Sequence, residues 1–282
     1  MTRLKQPSVI PGLSLSLGYT LLYLGLIVLL PMAALVSKTM TLSWTQFWAV
    51  VAHPQVVASY KISFGAAFVA AIINLVFGAI VAWVMVRYSF RGKRIVDALI
   101  DLPFALPTSV AGIALVAIYG PNGPIGGPLL QAGIKVAYTP FGITLALVFI
   151  GFPFVVRTVQ PVLEDFEQEL EEASASLGAS RWYTVRRVIF PHLFPSLITG
   201  FSLAFARGIG EYGSVIFIAG NLPFVSEITP LLIVNKLEQF DYPGATAIAC
   251  AMLTVSLLIL LVINCFQSWF ELRERKYQGV VA

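Results

Sequence analysis

A chain of 282 residues in which 58% of the side chains are apolar and 11% charged has more apolar surface than a soluble domain could cover with charge, which excludes the soluble globular and disordered classes. The formal charge of +4 reads as orientation in a bilayer rather than as affinity for nucleic acid, because the basic residues sit at the ends of apolar runs. The chain is an integral membrane protein whose first partner is lipid.

A bilayer core of about 30 Å takes about 20 apolar residues per helical crossing. Charge-poor windows of that kind fall near residues 13–36, 62–86, 99–119, 141–156, 197–219 and 245–270. All six read as helices, since a lipid-exposed segment must satisfy its own backbone and the period-two alternation of a barrel strand is missing. The fold class is thus all-α, a six-helix membrane bundle forming a single domain over residues 1–282. If the amino terminus is cytoplasmic, thirteen Lys and Arg residues fall on the inside and four on the outside, with Arg207 left in the membrane. Both termini are then expected inside. The first window follows Arg3 and Lys5 but exceeds the 7–15 residues of a signal core, so it reads as an uncleaved helix. Cys250 and Cys265, fifteen positions apart in the last window, read as small buried apolar residues with neither a local disulfide nor a metal between them.

The connections differ in character. The outside segment 37–60 carries Trp44, Phe47, Trp48 and Pro54, which suits a loop at the membrane interface. The basic turn from Arg87 to Arg94 has topology as its ordinary role. The third window contains Asp97, Asp101, Pro103 and Pro107, so its first half is expected to be broken, and the two carboxylates read as hydrated at the cytoplasmic border. Residues 120–128, with four glycines and three prolines, read as turns outside regular helix. Residues 221–244 read as a proline-punctuated outer connection.

The inside loop 158–196 changes sign across one glycine: six carboxylates precede Gly178, and Arg181, Arg186 and Arg187 follow it. Pro161 reads as the first residue of a helix, Gly178 as the left-handed residue ending it, Ser180 as the cap of a second helix and Pro191 as its stop. Between them, Glu171, Glu172, Ala173, Ser174, Ala175, Ser176, Leu177 and Gly178 form a surface of small side chains with one apolar knob. Such a surface fits a narrow cleft on a partner, or else is a solvated acidic loop followed by an interfacial helix.

In the fifth window, Arg207 and Glu211 are four apart and read as one helix face, with Tyr212 and Ser214 close behind. An intramembrane pair faces a bundle interior or a cavity. It either lines an anion path, together with Thr108 and Ser109 of the broken third window, or fixes helix packing. Gly208, Gly210 and Gly213 read as sites of close helix approach.

The spacing from Glu172 through Gly178 to Val188, Phe190 and Pro191 resembles the cytoplasmic loop by which bacterial ABC-importer permeases are identified. The segment Asp101–Gly112 and the element Phe205-Ala206-Arg207-Gly208-Ile209-Gly210-Glu211-Tyr212-Gly213 resemble those of tetrahedral-oxyanion permeases. Together they are similar to the T-subunit family of bacterial sulfate/thiosulfate ABC importers. Ser174 and Phe190 depart mildly from the commonest loop pattern. The resemblance implies a type I importer fold in the bacterial inner membrane, paired with a homologous W permease, two cytoplasmic ATPase subunits and a periplasmic sulfate-binding protein. It implies that residues 171–178 and Pro191 couple to the ATPase, and that Thr108, Ser109, Arg207, Glu211, Tyr212 and Ser214 border the path. The sequence contains no GxxxxGK[ST] loop, so the chain is not expected to be an enzyme or to bind a cofactor. ATP and Mg2+ belong to the partner. Molybdate or tungstate as cargo, and an ATP-independent anion transporter or channel, remain open.

Overall fold

The computed structural model describes residues 13–278, so Arg3 and Lys5 lie outside the described residues. The helices follow in order as α1 (Leu13–Leu24), α2 (Leu30–Thr39), α3 (Trp44–Val51), α4 (Pro54–Arg87), α5 (Lys93–Ile100), α6 (Leu102–Ala105), α7 (Thr108–Tyr119) and α8 (Gly126–Gln131). They continue as α9 (Pro140–Glu164), α10 (Gln168–Ser176), α11 (Arg181–Thr184), α12 (Phe190–Ile209), α13 (Val215–Ile218), α14 (Thr229–Glu238) and α15 (Tyr242–Gln278). Single π-helical turns, Gly25–Leu29 and Val185–Ile189, join α1 to α2 and α11 to α12. Among the described residues there is no strand. Five continuous helices among the described residues are long and apolar enough to cross a membrane: Leu15–Thr39, Pro54–Arg87, Pro140–Glu164, Arg181–Ile209 and Tyr242–Ser268. The third window is broken, with α7 as its longest piece.

The core lies where α4, α9 and α12 pack together. A water-based hydrophobic force is missing between helices in lipid, so close backbone approach does the work, and small residues allow it. On α4 the buried stripe is Ser63, Ala66, Ala67, Ala70, Ala71, Asn74, Gly78 and Ala82, recurring at helical spacing. A Cβ at Gly78 would lie 2.9 Å from Val155 Cβ, and one at Gly200 would lie 3.0 Å from Val155 Cα, so α9 is gripped from both sides at one residue. By contrast the first span leaves Leu15, Tyr19, Leu22 and Ile27 exposed and packs through α2 on α15.

Several expectations for the connections need correction. Residues 37–60 are not a loop: α3 forms there because the Ser43 side chain accepts from Gln46 N–H while the Gln46 side chain accepts from Ser43 N–H. Helix α4 then starts at Pro54, where a missing donor costs nothing. The glycine- and proline-rich run closes into α8 from Gly126, Pro128 falling in its first turn, and α14 occupies much of 221–244 with Pro230 in its first turn. Pro161 does not open a helix but lies in the last turn of α9, which ends at Glu164 with Asp165 N–H donating to the Pro161 carbonyl at 2.9 Å. Nor does Pro191 stop a helix. The π turn before it, closed by Phe190 N–H to Val185 O, absorbs the lost donor, and α12 runs on to Ile209. Cys265 is exposed and Cys250 is partly exposed, with its sulfur accepting from Thr39 Oγ1 at 3.5 Å, so neither is the fully buried apolar residue expected.

The fifth window is the largest departure. The predicted crossing 197–219 begins earlier, at Arg181, and ends at Ile209, so Glu211 stands past the helix end and α13 is a separate turn. The cause is local: Glu211 Oε1 accepts both the backbone N–H of Ser214 at 3.0 Å and its hydroxyl at 3.1 Å, holding the chain in a tight turn where a helix would need that donor.

Candidate functional site

Two places concentrate the polar residues singled out above. The first is the bend after α10. Gly178 takes φ +79°, in the left-handed region. Ala179 N–H donates to Ser174 O at 3.1 Å and Gly178 N–H to Ala175 O at 2.9 Å, the paired bonds of a Schellman motif. The Ser180 side chain then accepts from Tyr183 N–H and starts α11. Ser174 Oγ and Thr184 Oγ1, 2.8 Å apart, hold the two helices together. This geometry leaves Glu172, Ala173, Ala175, Ser176 and Gly178 on the surface, with Leu177 88% exposed. A concavity of about 810 Å³ lies beside them, lined by Leu170, Ala173, Ser174, Leu177, Gly178 and Tyr183 among others. Glu171 is turned the other way and pairs with Arg87 at the end of α4. Pro191 is not at the bend; ten residues of helix, about 15 Å, separate it from Arg181.

The second place is the break at the end of α12. Arg207 Nη1 and Glu211 Oε2 are 2.6 Å apart. The carboxylate is buried, with its other oxygen taken by Ser214, while the Arg207 side chain stays 37% exposed. Helix α7 packs on this turn. Any Cβ at Gly213 would run into Thr108 Oγ1, and one at Gly112 into the Ser214 carbonyl. Thr108, Arg207, Glu211, Tyr212 and Ser214 therefore gather at one end of α12, with Ser109 exposed at the start of α7. Gly208 approaches Ala67, and Gly213 approaches Thr108, whereas Gly210 faces open space and only ends the helix. The arrangement leaves the Arg207 side chain partly exposed beside a buried carboxylate whose two oxygens are both engaged.

Three polar joints escaped the reading of the sequence. Asp97 and Asp101 are not merely hydrated: Arg157 of α9 donates to Asp101 through Nε and Nη2, at 2.8 and 2.6 Å, and to Asp97 through Nη1 at 2.8 Å. An arginine in the last turns of the fourth crossing, opposite two carboxylates at four-residue spacing, was the available signal. Arg87, read as a topological charge, pairs with Glu171. At the opposite end of α4, Gln55 Nε2 donates to the buried Glu227 at 2.8 Å, and Ser63 Oγ accepts from Thr229 N–H at 2.8 Å.

Comparison with known proteins agrees with this architecture. The signature of the family described as "Binding-protein-dependent transport system inner membrane component" matches residues 74–276. The chain is 53% identical over 265 residues to the sulfate transport system permease protein CysT of Salmonella typhimurium, covering 94% of this chain and 96% of that one. It is 51% identical, with the same coverage, to CysT of Escherichia coli. Among solved structures, a bacterial ABC transporter involved in the import of the acidic polysaccharide alginate superposes with a TM-score of 0.75 at 16% identity, covering 91% of this chain and 94% of that one. Inward-facing MetNI methionine ABC transporter does so with a TM-score of 0.54, covering 80% of this chain and 96% of that one. At those identities the structures speak for the fold alone, which is that of type I ABC importer permeases. An all-helical bundle with a Schellman bend on one side, matched by the family signature over residues 74–276 and by CysT proteins along nearly its full length, places this chain in the family of binding-protein-dependent transport system inner membrane components, alongside the CysT sulfate transport permeases.

Proposed function

We propose that this chain is the membrane-spanning permease subunit of an ATP-driven importer for sulfate and thiosulfate in a bacterial inner membrane. The observation that carries the reading is the 53% identity to a sulfate transport permease over 94% of one chain and 96% of the other. The partners are a homologous W-type permease, two copies of a cytoplasmic ATPase that use ATP and Mg2+, and a periplasmic binding protein that delivers the anion. Both termini then face the cytoplasm, as does the bend at Gly178, in keeping with the inside excess of Lys and Arg. The exposed surface Glu172–Gly178, with Leu177 as its apolar knob, is the part that seats in the ATPase. Closure of the ATPase pair on ATP moves this bend and opens the bundle outward, and hydrolysis returns it. At the other site, the partly free Arg207 beside Glu211, Tyr212, Ser214, Thr108 and Ser109 borders the anion path. Pairing with Glu211 moderates the attraction, so that a dianion is passed on rather than trapped.

The test is uptake of radiolabelled sulfate by proteoliposomes containing the assembled complex, with ATP on the ATPase side and binding protein on the other. Uptake is expected to require ATP and to persist in excess molybdate. Uptake without ATP would make the chain part of a passive or ion-driven anion transporter, and loss of uptake in molybdate would move the cargo to that oxyanion.

A further inference from the structure

Two adjacent glutamates at the start of the bend point in opposite directions. Glu172 is exposed, as a partner-facing residue should be, whereas Glu171 is half-buried and paired with Arg87. Arg87 is the last residue of α4, where a cation is favoured by the helix carbonyl ends. Its side chain is only 15% exposed. The guanidinium lies 5.3 Å from the ring centre of Trp83, one turn back on α4, and 5.9 Å from that of Phe166, in the link between α9 and α10. Phe166 is buried in turn and meets the His192 ring of α12 edge-on at 5.2 Å. The Arg87 guanidinium is thus positioned by two rings as well as by the carboxylate, which ties the place of Glu171 to the end of α4.

From this joint α4 runs unbroken for 34 residues, about 51 Å, with its only proline at the first position. Twenty residues along, about 30 Å away, Ala67 packs against Gly208: a Cβ placed there would be 3.3 Å from that of Ala67. Gly208 is the neighbour of Arg207. A displacement of α10 thus has a stiff route, through Glu171 and Arg87 into α4 and from Ala67 to the charged break.

We propose that Arg87 is the positioning residue that transmits movement of the bend to the transmembrane bundle, so that its ion pair with Glu171 sets how much sulfate moves per ATP hydrolysed. The proposal rests on the reading of α10 as the ATPase-facing element. It assigns Glu171 to the bundle and leaves Glu172 for the partner.

The experiment uses the whole complex in proteoliposomes and measures three quantities: ATPase subunits co-purified, ATP hydrolysed, and labelled sulfate taken up per ATP. Arg87→Gln is expected to retain the ATPase and its hydrolysis while uptake per ATP falls about fivefold or more, the lower end of coupling between distant sites. Arg87→Lys keeps the charge and is expected to fall between the two. Arg87→Glu alone, facing Glu171, should lose more, and the exchanged pair Arg87→Glu with Glu171→Arg should recover most of the ratio. A local packing role would not be rescued by exchanging the charges. Unchanged uptake per ATP in Arg87→Gln overturns the proposal. So does an exchanged pair that assembles without recovering the ratio. Should a carboxylate beside the Trp83 and Phe166 rings prevent assembly, the uptake per ATP of Arg87→Gln against Arg87→Lys decides, and equal ratios in the two overturn the proposal. Leu177→Asp separates this from the underlying reading: it should release the ATPase, and if it does not, α10 is not the docking element and the proposal falls with it.

Discussion

Arg157 is the residue whose surroundings most constrain the broken third crossing. Its planar guanidinium grips Asp101 with two donors and Asp97 with a third, and Gln160 Oε1 accepts from Nη1 at 3.0 Å. The three charged side chains are between 30% and 48% exposed, so solvent screens the cluster and its worth is modest. Arg157→Gln is expected to lower stability by about 1–2 kcal/mol, as removal of the shared cation leaves two carboxylates facing each other. Thermal unfolding of the detergent-purified chain at low and high salt would measure it, with a smaller loss expected when Asp97→Asn and Asp101→Asn are already present. The charges of this clamp were visible in the sequence but their pairing was not, because the partners are 56 and 60 positions away and no local pattern says which of several inside arginines reaches them. Gly178 and Ser180 were legible for the opposite reason, since a left-handed residue and a cap act on their own neighbours within a few residues.

At the scale of elements, the prolines separate what a sequence signals from what it decides. Pro107 breaks a helix, Pro54 and Pro230 start one, and Pro161 and Pro191 lie within continuous ones. The residue type removes the same donor each time, and the outcome depends on whether nearby bonds or a π turn take up the loss. The turn between α14 and α15 is built instead on a carboxylate. Asp241 accepts from Lys236 Nζ and from Gly244 N–H, each at 3.0 Å. The Lys236 hydrogen bond, aided by that of Gly244 and opposed by partial burial, lowers the pKa of Asp241 below its ordinary 3.8. A folded-state value below the unfolded one means that the stabilisation is present above pH 3.8 and is lost as pH falls through the depressed value. Exchange protection of the Gly244 and Ala245 amides is therefore expected to drop below about pH 4 in the parent, and Asp241→Asn should lose that pH-dependent step. The effect is small because both partners are about one-third exposed or more.

At the scale of the whole molecule, the apolar windows located the crossings because lipid demands length and hydrophobicity from every span. They could not locate the seam among α4, α9 and α12, which is a matter of shape. Gly151 on α9 illustrates the point. A Cβ there would lie 2.5 Å from Asn74 Nδ2 on α4 and 3.4 Å from Ala204 Cβ on α12, so three helices meet at a residue without a side chain. Asn74 is fully buried, and neither of its amide atoms is hydrogen-bonded among the described residues. Gly151→Ala is expected to lower stability by about 1–3 kcal/mol, the ordinary cost of overpacking, because the amide must shift or the helices must part. Asn74→Ala removes the obstructing group, and the extra methyl then fills the space that it leaves. The double variant should therefore be at least as stable as the parent, with a coupling energy of about 1 kcal/mol or more between positions 74 and 151. Four melting curves in detergent measure that cycle. Additive losses would mean that α9 yields locally at Gly151 and that the contact with α4 does not hold the bundle together.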